Sequence, residues 1–181
     1  MKFTEDAARA VLAIRGKQIG DVAAELAVVP PPGAGPLAQQ SALTGTARLD
    51  LATLRTLNNW LGTAALVDGA ARARLALTGT LGMPLLTGML EGDHIRIEVP
   101  QHGVALKDGR LRAELTERAL LLKELSIAGP SGTLAATGTL ARRQSDGESQ
   151  IKWQANALRL FDRPDRRLTV ESSGTVVLSN D

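Results

Sequence analysis

The stretch His94-Ile95-Arg96-Ile97-Glu98-Val99 alternates polar and branched apolar residues at every step. Successive side chains of an extended chain point to opposite faces, so Ile95, Ile97 and Val99 share one face of a strand and the polar residues share the other. Pro100 ends the run, because proline cannot donate to a sheet ladder. Val104-Ala105-Leu106 and Arg110-Leu111-Arg112-Ala113-Glu114-Leu115 resume the alternation, and the Asp108-Gly109 pair between them predicts a tight hairpin turn. Ala71-Arg72-Ala73-Arg74-Leu75-Ala76-Leu77 does the same, with Leu75 and Leu77 inward and both arginines outward. A chain written this way is mainly β, with an apolar face and a charged face on each strand.

Further strands are predicted at 134–140, 151–161, 168–171 and 175–178. Leu120 to Leu122 and Leu125-Ser126-Ile127, separated by Lys123-Glu124, predict two short strands or one bulged strand. Residues 142–150 read as a polar loop turning at Asp146-Gly147. The N-terminal part is a weaker version of the same pattern, with strands at 11–15 and 22–28 around a turn at 16–20. A Pro/Gly-rich loop at 29–36 then divides the chain into a region 1–40 and a region 41–181. One segment breaks the pattern: Leu51, Leu54, Leu57 and Leu61 recur at helical spacing beside Trp60, with Asp50 as N-cap and Gly62 as stop. This predicts one short helix near 50–61, covering an end of the sheet or packed on a local core.

The uncharged run LALTGTLGMPLLTGML at 75–90 is too short for a membrane-spanning helix, which needs about 20 apolar residues, and is broken by Pro84 and three glycines. Its Thr78-Gly79-Thr80 returns at 44–46 and 137–139, with Ser-Gly-Thr at 131–133 and 173–175. Glycine in a strand marks a bulge or a close backbone approach, so the recurrence predicts one bend made repeatedly, in an elongated antiparallel or mixed sheet that curls on itself. Ordinary turn chemistry is the plainer reading of the same letters.

Function classes are narrowed mainly by what is scarce. Aromatics are 2% of the 181 residues, which leaves almost nothing on which to stack bases, and the net charge of +2 is interspersed rather than clustered, so no nucleic-acid partner is expected. With no cysteine there is no disulfide or thiolate chemistry. No P-loop, Gly-x-Ser-x-Gly elbow or His-Glu-x-x-His occurs, so neither an enzyme nor a cofactor is expected. Asp93, His94 and His102 lie close in sequence, but one histidine falls on a polar strand face and the other in a turn, so they read as solvated residues and no metal site is expected. Arg159, Arg163, Arg166 and Arg167 surround Phe161 with Asp162 and Asp165 interleaved, a solvated turn rather than a basic patch. The start of the chain lacks the charged and apolar regions of a signal peptide, as expected for a cytoplasmic protein or an internal piece of an exported one.

The succession Gly79-Thr80-Leu81, Pro84 and Gly88, then Pro100, Gly103, Val104 and Leu106, then Gly129, Gly132, Leu134 and Gly138 resembles the TamB family of Gram-negative envelope proteins, in the AsmA-like superfamily. The likeness is best over 64–140 and extends over 41–181; Pro130 departs from it. It implies an internal fragment of a periplasmic protein anchored in the inner membrane, folded as an open, taco-shaped groove that is polar outside and aliphatic inside. It further implies phospholipid transfer between the membranes and work with the outer-membrane protein TamA in assembling autotransporters and other barrel proteins.

The residues expected to point inward are Leu75, Leu77, Ile95, Ile97, Val99, Val104, Leu106, Leu111, Leu115, Leu125, Ile127, Leu134, Leu140, Val170, Val176 and Leu178. In the groove reading they contact phospholipid acyl chains; in the competing reading they fill the dry core of a closed sandwich or small barrel. A chaperone-like role, with exposed strand edges pairing unfolded outer-membrane protein strands, is the second functional expectation. An enzyme on a parallel β-helix is the third, disfavoured by the expected hairpin at Asp108-Gly109.

Overall fold

The computed structural model describes residues 2–4, 7–16, 20–35, 38–61, 65–142, 147–162 and 167–178. Eleven strands follow one another: β1 (Lys2–Thr4), β2 (Ala7–Gly16), β3 (Gly20–Val29), β4 (Ala42–Leu51), β5 (Leu66–Gly79), β6 (Pro84–Val99), β7 (Val104–Leu115), β8 (Ala119–Ala128), β9 (Thr133–Ala141), β10 (Ser149–Asp162) and β11 (Arg167–Leu178). They form a single sheet whose spatial order is the sequence order, with β1 and β11 outermost among the described strands. Every described pairing is antiparallel, so the sheet is not mixed. The described strands form neither a closed barrel nor the parallel coils of a β-helix.

Direct cross-strand partners share a face, so the register can be followed across the sheet. The row Leu12, Ala24, Ala47, Leu75, Gly88, Leu115, Leu120, Leu140 crosses eight strands without a polar residue. The neighbouring row on the same face runs Ile14, Val22, Leu49, Ala73, Leu90, Ala113, Leu122, Gly138, Ile151, Val176. The opposite face carries the charges, which alternate in sign along the row Asp50, Arg72, Glu91, Arg112, Glu124, whereas Asp21 faces Asp50 and Arg48 faces Arg74.

The Asp108-Gly109 hairpin does not form. Both residues lie inside the continuous strand β7, and Asp108 has φ 55° where the register with β6 and β8 slips. The local chemistry that suits a turn here makes a β-bulge instead, since Asp tolerates the left-handed region. The same device recurs at His94 in β6 (φ 52°) and Ala157 in β10 (φ 43°), again beside register slips. β8 is the single bulged strand of the two forms anticipated, slipping around Lys123 and Glu124. Each bulge adds one residue and changes which parity of the sequence faces the apolar side. In β6 the apolar-face residues are Leu86, Gly88, Leu90 and Gly92 before the slip, then Ile95, Ile97 and Val99.

The helix near 50–61 is shorter than its leucine spacing predicts. Asp50 and Leu51 are the last residues of β4, and Asp50 pairs with Arg72 rather than capping a helix. The helical segment is a 3-10 turn at Leu54–Leu57 running into one α-turn, Asn58–Leu61, and its N-cap is Thr53, whose hydroxyl accepts from Arg55 N–H. Leu51 is drawn into the sheet because it extends the alternation of Leu43, Gly45, Ala47 and Leu49. Gly62, the expected stop, lies outside the described residues, as do residues 143–146 and 163–166, where two of the expected turns fall.

Nor do the Thr-Gly-Thr and Ser-Gly-Thr repeats make one bend. Gly79, the last residue of β5, and Gly132, just before β9, have positive φ at turns. Gly45, Gly138 and Gly174 lie within strands on the apolar face, each beside a bulky partner: Leu26 and Leu77, Leu122 and Ile151, and Trp153. A Cβ at Gly138 would run into Gln150 O and Ile151 Cα, and one at Gly174 into the Trp153 ring. These glycines let neighbouring large side chains lie down over the sheet.

Among the described residues no second layer covers the sheet. The chain exposes 12252 Å², whereas a compact monomer of 19.0 kDa would expose about 8,400 Å². The buried apolar residues among those described are few and mostly small or near sheet ends, with Ala155 and Leu158 the most enclosed. Those two sit where the sheet is drawn together. Beyond the turn joining β8 to β9, Phe161 of β10 pairs with Val104 of β7, although strands three places apart in a flat sheet lie about 14 Å from one another.

Two substitutions test this account. Ala157→Gly should hold or raise stability by up to about 1 kcal/mol, the reverse of the usual cost of glycine in a strand, because it relieves a left-handed alanine. Gly138→Val should destabilise by about 1–3 kcal/mol. Urea unfolding followed by far-UV circular dichroism reads both, and a destabilised Ala157→Gly would contradict the bulge assignment.

Candidate functional site

The apolar face is the candidate site. All sixteen residues expected to point inward fall on it by register: Leu75 beside Gly88, Leu77 beside Leu86, Ile97 beside Leu106, Val99 beside Val104, Leu111 beside Leu125, Ile127 beside Leu134, and the rest in the same rows. Leu115 and Leu140 join through Leu120, Ile95 faces Gly109, and Val170 faces Leu158. Most are half-buried, while Val176 and Leu178 on the edge strand β11 are exposed.

Sequence reasoning missed a comparable set. Leu12, Ile14, Val22, Leu26, Leu43, Leu49 and Leu51 extend the face over β2, β3 and β4. Their alternation is present in the sequence but diluted by alanine, as in Val22-Ala23-Ala24-Glu25-Leu26. Leu86 and Leu90 were hidden by the phase slip at His94, and Leu158 by the slip at Ala157.

The polar face holds the strand register through charge. Asp93 accepts a hydrogen bond from Arg112 at 2.7 Å, and this guanidinium holds its carboxyl below the ordinary carboxylate range. Arg112 also donates to the Gly92 and Leu111 carbonyls, so one side chain clamps the β6 bulge to β7. Asp68 of β5 binds the helical turn: it accepts from Arg55 Nε at 2.7 Å and from the Thr53 hydroxyl at 3.2 Å. Its carboxyl is lowered first by Arg55 and then by the Gly69 N–H. Asn58 completes that junction by accepting from Val67 N–H at 2.7 Å. Arg9–Glu25 and Lys123–Glu114 are further cross-strand pairs.

Other residues singled out by sequence do not converge. His94 is exposed at its bulge and His102 is exposed in the turn 100–103, and no group of three potential metal ligands occurs among the described residues. Arg163 and Arg166 lie outside the described residues. A depression of about 550 Å³ lies over β2 to β5, bounded by the polar-face rows Val11, Glu25, Thr46, Ala76 and Ala13, Ala23, Arg48, Arg74, together with the row between them. No helix among the described residues is long and apolar enough to cross a membrane.

No family model matches the chain, and neither a curated protein nor a solved structure does.

The lowered carboxyls of Asp68 and Asp93 fix the sign of a pH effect. Their contribution to stability is fully present above the unfolded carboxylate value of about 3.9 and is lost as pH falls through the lower folded values. Melting temperature should therefore drop on acidification below about pH 4, and the drop should be shallower in Asp68→Asn/Asp93→Asn. A double variant with the parent's full acid dependence would show that these pairs do not carry it.

Proposed function

We propose that this chain is a segment of a TamB-like envelope protein whose aliphatic sheet face forms an open groove for phospholipid acyl chains. The observation that carries the reading is the continuous apolar face across the sheet with no second layer over it among the described residues. Removing apolar surface from water yields about 25 cal/mol per Å², so a face of this extent favours an apolar occupant. Aliphatic residues interspersed with glycine and alanine make a smooth lining suited to mobile acyl chains rather than to one fixed ligand, and the drawn-together end at β7 and β10 supports a sheet curling about that lining. The headgroups stay at the open rim, in water. The full-length protein is then periplasmic and anchored in the inner membrane, and the segment acts as a conduit rather than a catalyst.

A second reading rests on a different observation. Among the described strands β11 is an edge of the sheet, with Val176, Val177 and Leu178 exposed, and an edge strand offers unpaired backbone groups to an incoming strand. In that reading the chain holds unfolded outer-membrane protein strands during assembly with TamA.

Lipid extraction and native mass spectrometry of the purified chain should show bound phospholipid or detergent. Ile97→Asp and Leu115→Asp should keep the β circular dichroism signal yet abolish lipid transfer between donor and acceptor vesicles. Unimpaired transfer in both variants would sink the groove. Photocrosslinkers at Ile97 should capture lipid, whereas capture of substrate strands at Val177 alone would favour the edge.

A further inference from the structure

We propose that the opposite, polar face carries an oxyanion site at Arg48 and Arg74 that takes a phosphate group. Arg48 of β4 and Arg74 of β5 are direct cross-strand partners, an arrangement in which like charges repel. Several other cations on this face are ion-paired: Arg72 with Asp50, Arg112 with Asp93, Lys123 with Glu114, and Arg9 with Glu25. Neither Arg48 nor Arg74 has an ion pair among the described residues; Glu25, which also borders the depression, is paired with Arg9, and Glu91 lies on the far side of Arg74, away from Arg48. Along their own row the flanking residues are Ala23 and Met89, so nothing in the row neutralises them.

Two adjacent guanidinium forks with no acid between them suit a tetrahedral oxyanion, whose oxygens can accept from both at once. The Thr46 hydroxyl lies on the same face, two residues along β4 from Arg48, and adds a neutral donor. The space is supplied by small residues: Ala13, Ala23 and Ala76 stand where longer side chains would fill the depression of about 550 Å³ that Arg48 and Arg74 border. That volume exceeds the needs of a bare phosphate and admits a phosphorylated headgroup as well. The site is on the face opposite the proposed acyl groove and does not depend on it.

The test uses the whole chain in phosphate-free buffer with two probes, inorganic phosphate and vesicles of phosphatidylglycerol, the latter compared with phosphatidylcholine vesicles. Saturable binding of inorganic phosphate, with a rise in melting temperature, identifies a site for free or small-molecule phosphate. Binding confined to phosphatidylglycerol vesicles identifies a headgroup site. In either case each single substitution, Arg48→Gln or Arg74→Gln, should weaken binding roughly tenfold, and the double variant should abolish it. Arg48→Lys/Arg74→Lys, which keeps the charge and loses the forks, should bind more weakly than the parent. The double Gln variant should melt no lower than the parent without phosphate, because the repulsion is gone; if it fails to fold, the lysine variant carries the test. Failure of both probes to bind, or binding that survives these substitutions, overturns the site. Ile97→Asp should leave phosphate binding intact, so loss of the acyl groove and loss of the oxyanion site are read separately.

Discussion

A one-layer sheet keeps its aliphatic residues together only if the phase of the sequence and the phase of the pairing never drift apart. A slip of one residue in any strand would turn its whole apolar set to the other side. This molecule allows the slips and corrects them. The bulges at His94, Asp108, Lys123-Glu124 and Ala157 each absorb one residue, so that sequence parity changes within a strand while the face does not. Three of these bulges place a non-glycine residue at positive φ, a local cost of about 1–2 kcal/mol each, which is sustained by the pairing on either side.

The two faces then do different physical work. On the polar side, alternating charges in rows such as Asp50, Arg72, Glu91, Arg112 and Glu124 favour one register over its neighbours, since a shifted strand would oppose like charges. On the apolar side, leucine beside glycine or alanine across strands gives close contact without a second sheet. The apolar face fixes which side each strand turns inward, and the charge rows add to the choice of register.

Much of this is legible in the chain. The alternation at 71–77, 94–99, 110–115 and 134–140 fixes both the strands and the side that each residue takes, because period two has one geometric meaning. What is not legible comes from ambiguity between equivalent local signals. Asp-Gly suits a hairpin turn and a bulge alike, and only the length of the neighbouring strands decides which forms. The leucines at 51, 54, 57 and 61 fit a helix, yet Leu51 also fits the alternation of β4, and the sheet ladder claims it. The Ser/Thr-Gly-Thr phrase gives glycine's position without its purpose, which is a turn at Gly79 and room for a neighbour at Gly138.

The order of the sheet is the order of the sequence, and among the described strands each pairs with the strands made just before and just after it, with β7 and β10 meeting in addition. Such a structure has a length but no fixed size. A hairpin inserted or removed whole would alter how far the apolar face reaches without disturbing the pairing of the remaining strands, provided that it arrives with the correct phase. The reach of this architecture is therefore adjustable in steps of two strands, about 10 Å at a time, by changes confined to one stretch of sequence.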